Sequence, residues 1–263
     1  MKQQLRRIYS LLLLLGVDPR KTIHLLKGLP LYYRDLRKLK SQAPATTEFP
    51  FGEFYPCLDD RFAEGGFGQG HYFHQDLLVA RRIYLNKPDK HVDVGSRIDG
   101  FVAHVASFRP IEVFDIRPLS NTIPNIRHTQ ADLMAPIDER LAGYCDSLSC
   151  LHALEHFGLG RYGDLVNHDG HILGLRNLST ILKKGGKFYL SVPIGPQRIE
   201  FNAHRVFAVS YLMEWFSGKY HLDQFSYVDD KGVLHEGVPV TDVDARNSFG
   251  CWYGCGIFEL AKL

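Results

Sequence analysis

Residues 90–118, KHVDVGSRIDGFVAHVASFRPIEVFDIRP, read as strand, tight turn, helix and strand. Val92 and Val94 flank Asp93, and the chain then turns through Gly95-Ser96-Arg97-Ile98. Phe101, Val102, Val105, Ala106 and Phe108 follow at helical spacing, which gives one face that packs on a sheet. Asp99 stands where a helix N-cap belongs, its carboxylate placed to accept free backbone N–H groups. Ile111-Glu112-Val113-Phe114-Asp115 is a second strand ending in a carboxylate. Two strands joined by a helix within about thirty residues make a parallel, right-handed βαβ unit, the nucleotide end of a doubly wound α/β fold.

A strand that runs into a glycine lets the backbone approach a ligand, and a carboxylate about twenty residues later reaches ribose hydroxyls. NAD and S-adenosylmethionine both meet that description. A pyrophosphate requires small residues through the turn, because it rests on the helix N-terminus. Arg97 and Asp99 occupy those places here, and Asp99 repels phosphate. S-adenosylmethionine instead brings a sulfonium, an ammonium and a carboxylate. It is therefore the expected cofactor, with Asp93 on the amino group, Arg97 or a backbone N–H on the carboxylate, and Asp115 on the ribose diol. Gly95, Ser96, Asp99 and Ile116 complete that part of the expected site.

The 263 residues suffice for one large α/β domain with an N-terminal extension. Hydrophobic content of 45% and charged content of 23% exclude a disordered or membrane-embedded composition. A net charge of +2 argues against a general nucleic-acid binder. That charge is uneven, with a net +8 in residues 1–40 and −6 in the remainder. Residues 1–45 are accordingly expected to form a basic helical extension and residues 46–263 the cofactor-binding domain. The cysteines at 57, 145, 150, 251 and 255 include no Cys-x-x-Cys pair, and Cys251-x-x-x-Cys255 lacks a second ligand pair for zinc. No metal is expected, and a reducing, cytoplasmic compartment fits.

Lys2, Arg6 and Arg7 precede an apolar run over 8–17 that imitates a signal peptide, but Asp18-Pro19-Arg20-Lys21 offers no cleavage site. The run is also shorter than the roughly 20 residues that span a bilayer. Leucines alternate with Lys and Arg over 23–40. Two basic amphipathic helices suit peripheral contact with an anionic membrane surface, or else cap the domain or pair in a homodimer. Residues 64–70 are glycine-rich, and a cluster of His71, Tyr72, Phe73, His74, Gln75 and Asp76 precedes a helix expected over 77–85. Tyr72, His74 and Gln75 are candidates for a substrate or cofactor wall; a local hydrogen-bond network is the plainer reading.

Strands are expected over 126–131 and 146–151, the first ending at Asp132 and Leu133 beside the adenine and the second at Leu151. A helix over 172–182 stops at Lys183-Lys184-Gly185-Gly186, a fifth strand covers 187–192, a helix covers 209–216, and strands lie near 225–227 and 257–261.

Val-Asp-Val-Gly at 92–95, Asp115, Ala-Asp-Leu at 131–133, Leu-His-Ala-Leu-Glu-His at 151–156, Leu-Lys-Lys-Gly-Gly-Lys at 182–187 and Ser-Val-Pro at 191–193 together resemble a class I S-adenosylmethionine-dependent methyltransferase. That resemblance covers residues 70–263 and implies a mostly parallel seven-stranded sheet of Rossmann-like type. YPCLDDRF (55–62), GHYFHQDL (70–77), HVDVGSRIDGFVAHV (91–105) and LHALEHFGLGRYGD (151–164) more narrowly resemble the family catalogued as Caenorhabditis protein of unknown function, whose bacterial members are associated with polysaccharide biosynthesis. The resemblance implies an O-methyltransferase acting on a sugar or glycan intermediate, or a non-catalytic scaffold in a membrane-associated glycan-assembly complex. One departure is the turn itself, Gly-x-Gly-x-Gly in the superfamily and Gly95-Ser96-Arg97-Ile98-Asp99 here.

Methylation of a hydroxyl requires a base, and ligands in such sheets bind beyond the carboxyl ends of the strands. His156 is the first candidate base, with Glu155 orienting it, and His204 the second. His152, Glu155, His156 and Asp164 as a divalent-metal set, and His156 as a structural histidine, are the competing readings. Asp93, Asp115 and Asp132 lining one open cleft with His156 or His204 would favour the enzyme; a filled cleft would favour the scaffold.

Overall fold

The computed structural model describes residues 9, 11–42, 49–58, 60–62 and 68–263. Residues 8 and 10 of the apolar run, the three basic residues before it, and residues 64–67 of the glycine-rich stretch lie outside the described residues. The chain divides into two compact units, Met1–Phe67 and Gly68–Leu263. In the first unit, helix α1 (Pro19–Gln42) runs as one 24-residue helix with Pro30 inside it. No helix among the described residues is long and apolar enough to cross a membrane.

The second unit holds one eight-stranded sheet in the order β3-β2-β1-β4-β5-β10-β8-β9. Its strands are β1 (His91–Val94), β2 (Ile111–Asp115), β3 (Ile126–Gln130), β4 (Cys145–Leu151), β5 (Leu182–Ile194), β8 (Tyr220–Val228), β9 (Leu234–His235) and β10 (Gly254–Lys262). The first five pair in parallel. β10 runs antiparallel between β5 and β8. The eighth strand, beyond the seven expected, is the two-residue β9, which hairpins onto the outer edge of β8. β6 (Arg198–Glu200) and β7 (His204–Val206) form a separate hairpin.

Strand periodicity sorts side chains to two cores. Val92, Val94, Phe114, Leu148 and Cys150 face one side, against α4 (Gly170–Ile181) and α5 (Val209–Phe216). Ile111, Val113, Leu151, Tyr189 and Ile257 face the other, against α2 (His71–Asn86) and Phe101, Val102 and Val105. Because Val92 and Val94 take the first face, His91 and Asp93 must take the second. Both are buried there.

Three local differences from expectation have clear causes. α2 begins at His71, six residues early, and its cap Gly70 gives no side-chain signal. The segment after Gly95 is capped by Arg97, with no side-chain cap bond, and forms a wide turn over Ile98–Val102 before α3 (Ala103–Ala106). Asp99 is therefore not the N-cap. Gly185 and Gly186 do not cap a helix: α4 ends at Ile181, and the glycines form a bulge where pairing jumps from Cys145↔Leu182 to Ser147↔Lys187.

Candidate functional site

β1, β2, β3 and β4 end side by side, and an open cleft lies beyond their carboxyl ends. Gly95, Asp115, Ile116, Asp132 and Leu133 line it, together with His152 and His156. Gly95 is at φ +75°, and a Cβ there would stand 2.8 Å from that of Ala153. Only glycine suits this turn. Asp115 accepts from the Arg117 backbone N–H at 2.8 Å and from its guanidinium at 2.9 and 2.6 Å. Asp132 accepts from the Met134 N–H at 2.8 Å, which fixes the chain beside an apolar wall of Leu133, Met134 and Phe157.

Asp93 does not line the cleft. It is fully buried and accepts from the Ser96 N–H and hydroxyl at 3.1 and 2.9 Å, with the Ser149 hydroxyl at 2.5 Å. Burial pushes its carboxyl up to about 7, against those hydrogen bonds. These hydrogen bonds fix the turn. Ser96, Arg97, Asp99 and Leu151 line a neighbouring recess with Tyr72, Gln75 and Asp76. Arg97 and Asp99 are both exposed and pair with each other at 2.6 Å, so neither charge points into the cleft unbalanced.

His156 is buried at the cleft, and its Nδ1 lies 2.7 Å from the Ala203 carbonyl oxygen. That carbonyl can only accept, so Nδ1 carries the proton and Nε2 the lone pair. Burial holds His156 below its ordinary value, which keeps the imidazole neutral. Glu155, expected to orient His156, instead places Oε1 2.7 Å from Nδ1 of His152 and 3.8 Å from Nε2 of His156. Burial opposes a charge on His152, but Cys255 and Glu155 beside it raise it well above the ordinary value. His204 is outside the cleft, its ring 4.9 Å from that of Tyr253. Asp164 is committed to its own loop, accepting from the N–H groups of Gly158, Gly160 and Tyr162 at 2.8, 3.2 and 3.2 Å, which leaves the competing four-residue metal reading without a free carboxylate there.

The wall residues separate. Tyr72 stays at the site, its ring 5.0 Å from that of His152. Gln75 is buried and bound to Ser191 at 2.5 Å, and His74 turns away to the Gly232 carbonyl at 3.2 Å. Arg117, Met134 and Tyr162 escaped the sequence reading. Arg117 sits beside Asp115 and over the Tyr162 ring, at 4.7 Å, a contact between segments that spacing cannot reveal.

The fold is that of class I S-adenosylmethionine-dependent methyltransferases. The 1,6-didemethyltoxoflavin-N1-methyltransferase of Burkholderia thailandensis, crystallised with 1,6-didemethyltoxoflavin and S-adenosylhomocysteine, superposes with a TM-score of 0.53 at 12% identity, over 92% of this chain and 89% of that one. The N-methyltransferase NodS of Bradyrhizobium japonicum, in complex with S-adenosylhomocysteine, gives 0.47 at 11% identity, over 73% and 88%. Residues 121–238 match the model of the family described as Caenorhabditis protein of unknown function, DUF268. A search of curated proteins found no match.

Proposed function

We propose that the protein is an S-adenosylmethionine-dependent O-methyltransferase whose acceptor is a sugar or glycan hydroxyl. The observation that carries this reading is one open cleft shared by Gly95, Asp115, Asp132 and a neutral His156. The chain's residues fit the cofactor: a glycine turn for close approach, carboxylates at two adjacent strand ends, and an apolar wall. S-adenosylmethionine, when bound, supplies an electrophilic methyl group. His156 Nε2 takes the proton of the acceptor hydroxyl, and Glu155 at 3.8 Å stabilises the imidazolium that forms. The choice of a hydroxyl is supported by this base, since an alcohol at its own pKa is a poor nucleophile. The choice of a glycan is supported by the family resemblance of the sequence strings. The basic α1 suits an anionic membrane surface, where lipid-linked glycans are assembled.

Thermal unfolding with S-adenosylhomocysteine, S-adenosylmethionine and NAD in parallel tests the reading. An adenosyl ligand at about 100 times its Kd stabilises the fold by about 2.7 kcal/mol, and NAD leaves the midpoint unchanged. No shift with saturating adenosyl ligands would return the protein to the scaffold reading.

A further inference from the structure

Three side chains from distant parts of the chain meet beside the cleft. His71 opens α2, His152 follows the end of β4, and Cys255 is the second residue of β10. One donor atom from each, a ring nitrogen or the sulfur, lies within 4.8 Å of the other two. The His71 and His152 rings stack with centroids 5.2 Å apart and planes 10° from parallel.

His152 is held in a particular orientation. Its Nδ1 is 2.7 Å from Glu155, which leaves Nε2 to face the cluster. Nε2 is buried and, although the Cys255 thiol stands beside it and favours its charged form, no hydrogen bond of sound geometry reaches it among the described residues. A buried polar atom left unpaired is costly, and proteins keep few of them. Cys255 is wholly buried, with long contacts of 3.8 Å to Gln75 and 3.9 Å to the Gly256 carbonyl. A carboxylate on one imidazole nitrogen, with the other nitrogen left without a sound hydrogen bond beside a thiol, is how metal-ligating histidines are oriented once the metal displaces the Nε2 proton.

We propose that His71, His152 and Cys255 bind one zinc ion. Two imidazoles and a thiolate suit zinc and disfavour magnesium or calcium, which take oxygen. Tetrahedral zinc sets such donors about 3.3–3.8 Å apart, so the three need to close by about 1 Å. Three protein ligands leave a fourth position for water or a substrate oxygen, the arrangement of catalytic rather than structural zinc. Of the three, His152 also lines the cleft. Cys251, buried nearby, is outside the donor set and serves as a control.

The test needs no methyl acceptor, and its outcome is independent of adenosyl binding. The full chain is stripped with chelator, loaded with excess zinc, desalted and measured for metal. The expected content is about one zinc per chain, retained in Cys251→Ser and reduced at least fivefold in Cys255→Ser and His152→Ala. Titrating wild-type protein with cobalt gives a thiolate-to-cobalt charge-transfer band that saturates at one equivalent. The cobalt titration needs no variant, so misfolding of a mutant cannot mask the answer. Absence of that band, or wild-type zinc content in folded Cys255→Ser, overturns the proposal.

Discussion

His156 Nδ1 lies 2.7 Å from the carbonyl oxygen of Ala203, a contact that joins the exit of β4 to the loop between β6 and β7. This contact, rather than Glu155, sets the tautomer that leaves Nε2 basic. Loss of a general base typically costs about 10²–10⁴ in rate. His156→Ala should therefore lower kcat for an acceptor by that factor while changing S-adenosylhomocysteine affinity less than threefold. Single-turnover kinetics beside calorimetric titration separates the two. Unchanged kcat would reduce His156 to a structural histidine.

Gly95→Ala probes the turn. Its φ of +75° disfavours any side chain by about 1–2 kcal/mol, and the new methyl would meet Ala153 at 2.8 Å. Each kcal/mol lowers the unfolding midpoint of a unit this size by roughly 2–4 °C. The variant should melt several degrees lower and lose most of its adenosyl affinity. A variant with the wild-type midpoint would show that the turn relaxes freely.

Asp93 ties stability to pH. Its carboxyl stands near 7 in the fold against 3.8 for an ordinary Asp, because burial disfavours the charge. The folded state thus binds the extra proton between those values, and stability falls as pH rises from about 4 to 7. The full span is on the order of 4 kcal/mol. Asp93→Asn cannot titrate, so its stability relative to wild type should improve from pH 4.5 to pH 8. Denaturant unfolding at both pH values reads this directly, and a constant difference would mean that Asp93 stays ionised throughout.

The parallel strands were legible because β-branched and apolar runs sat between turn residues, as at Val92-Asp93-Val94-Gly95. The same alternation also carried the burial of Asp93: with Val92 and Val94 facing one core, Asp93 had to face the other. Its assignment to the cofactor's amino group rested on charge and did not use the period-two rule. The early start of α2 was hidden because Gly70 offers no capping side chain, so His71 and Tyr72 read as loop. The bulge at Gly185-Gly186 imitates a helix stop in composition. No local pattern could bring His71, His152 and Cys255 together, since their meeting depends on the order of β4, β5 and β10 in the sheet.

The last prediction turns on counting acceptor sites at Asp115. A carboxylate offers about four lone-pair positions, and Arg117 fills three of them, two on Oδ1 and one on Oδ2. One position on Oδ2 therefore remains for a ribose hydroxyl, and a second hydroxyl must displace part of the guanidinium. The Tyr162 ring, 4.7 Å from the same guanidinium, can keep hold of Arg117 while it gives up part of its contact with Asp115. On this account Arg117 competes with the ribose while keeping Asp115 in place, and its two effects on affinity oppose each other. Arg117→Ala should change S-adenosylhomocysteine affinity by less than about threefold, whereas Asp115→Asn, which replaces an acceptor oxygen by a donor, should weaken it by about tenfold or more, an energy of about 1.4 kcal/mol. Calorimetric titration of both variants decides it. A large loss in Arg117→Ala with little loss in Asp115→Asn would place the ligand on the guanidinium and move the ribose away from β2.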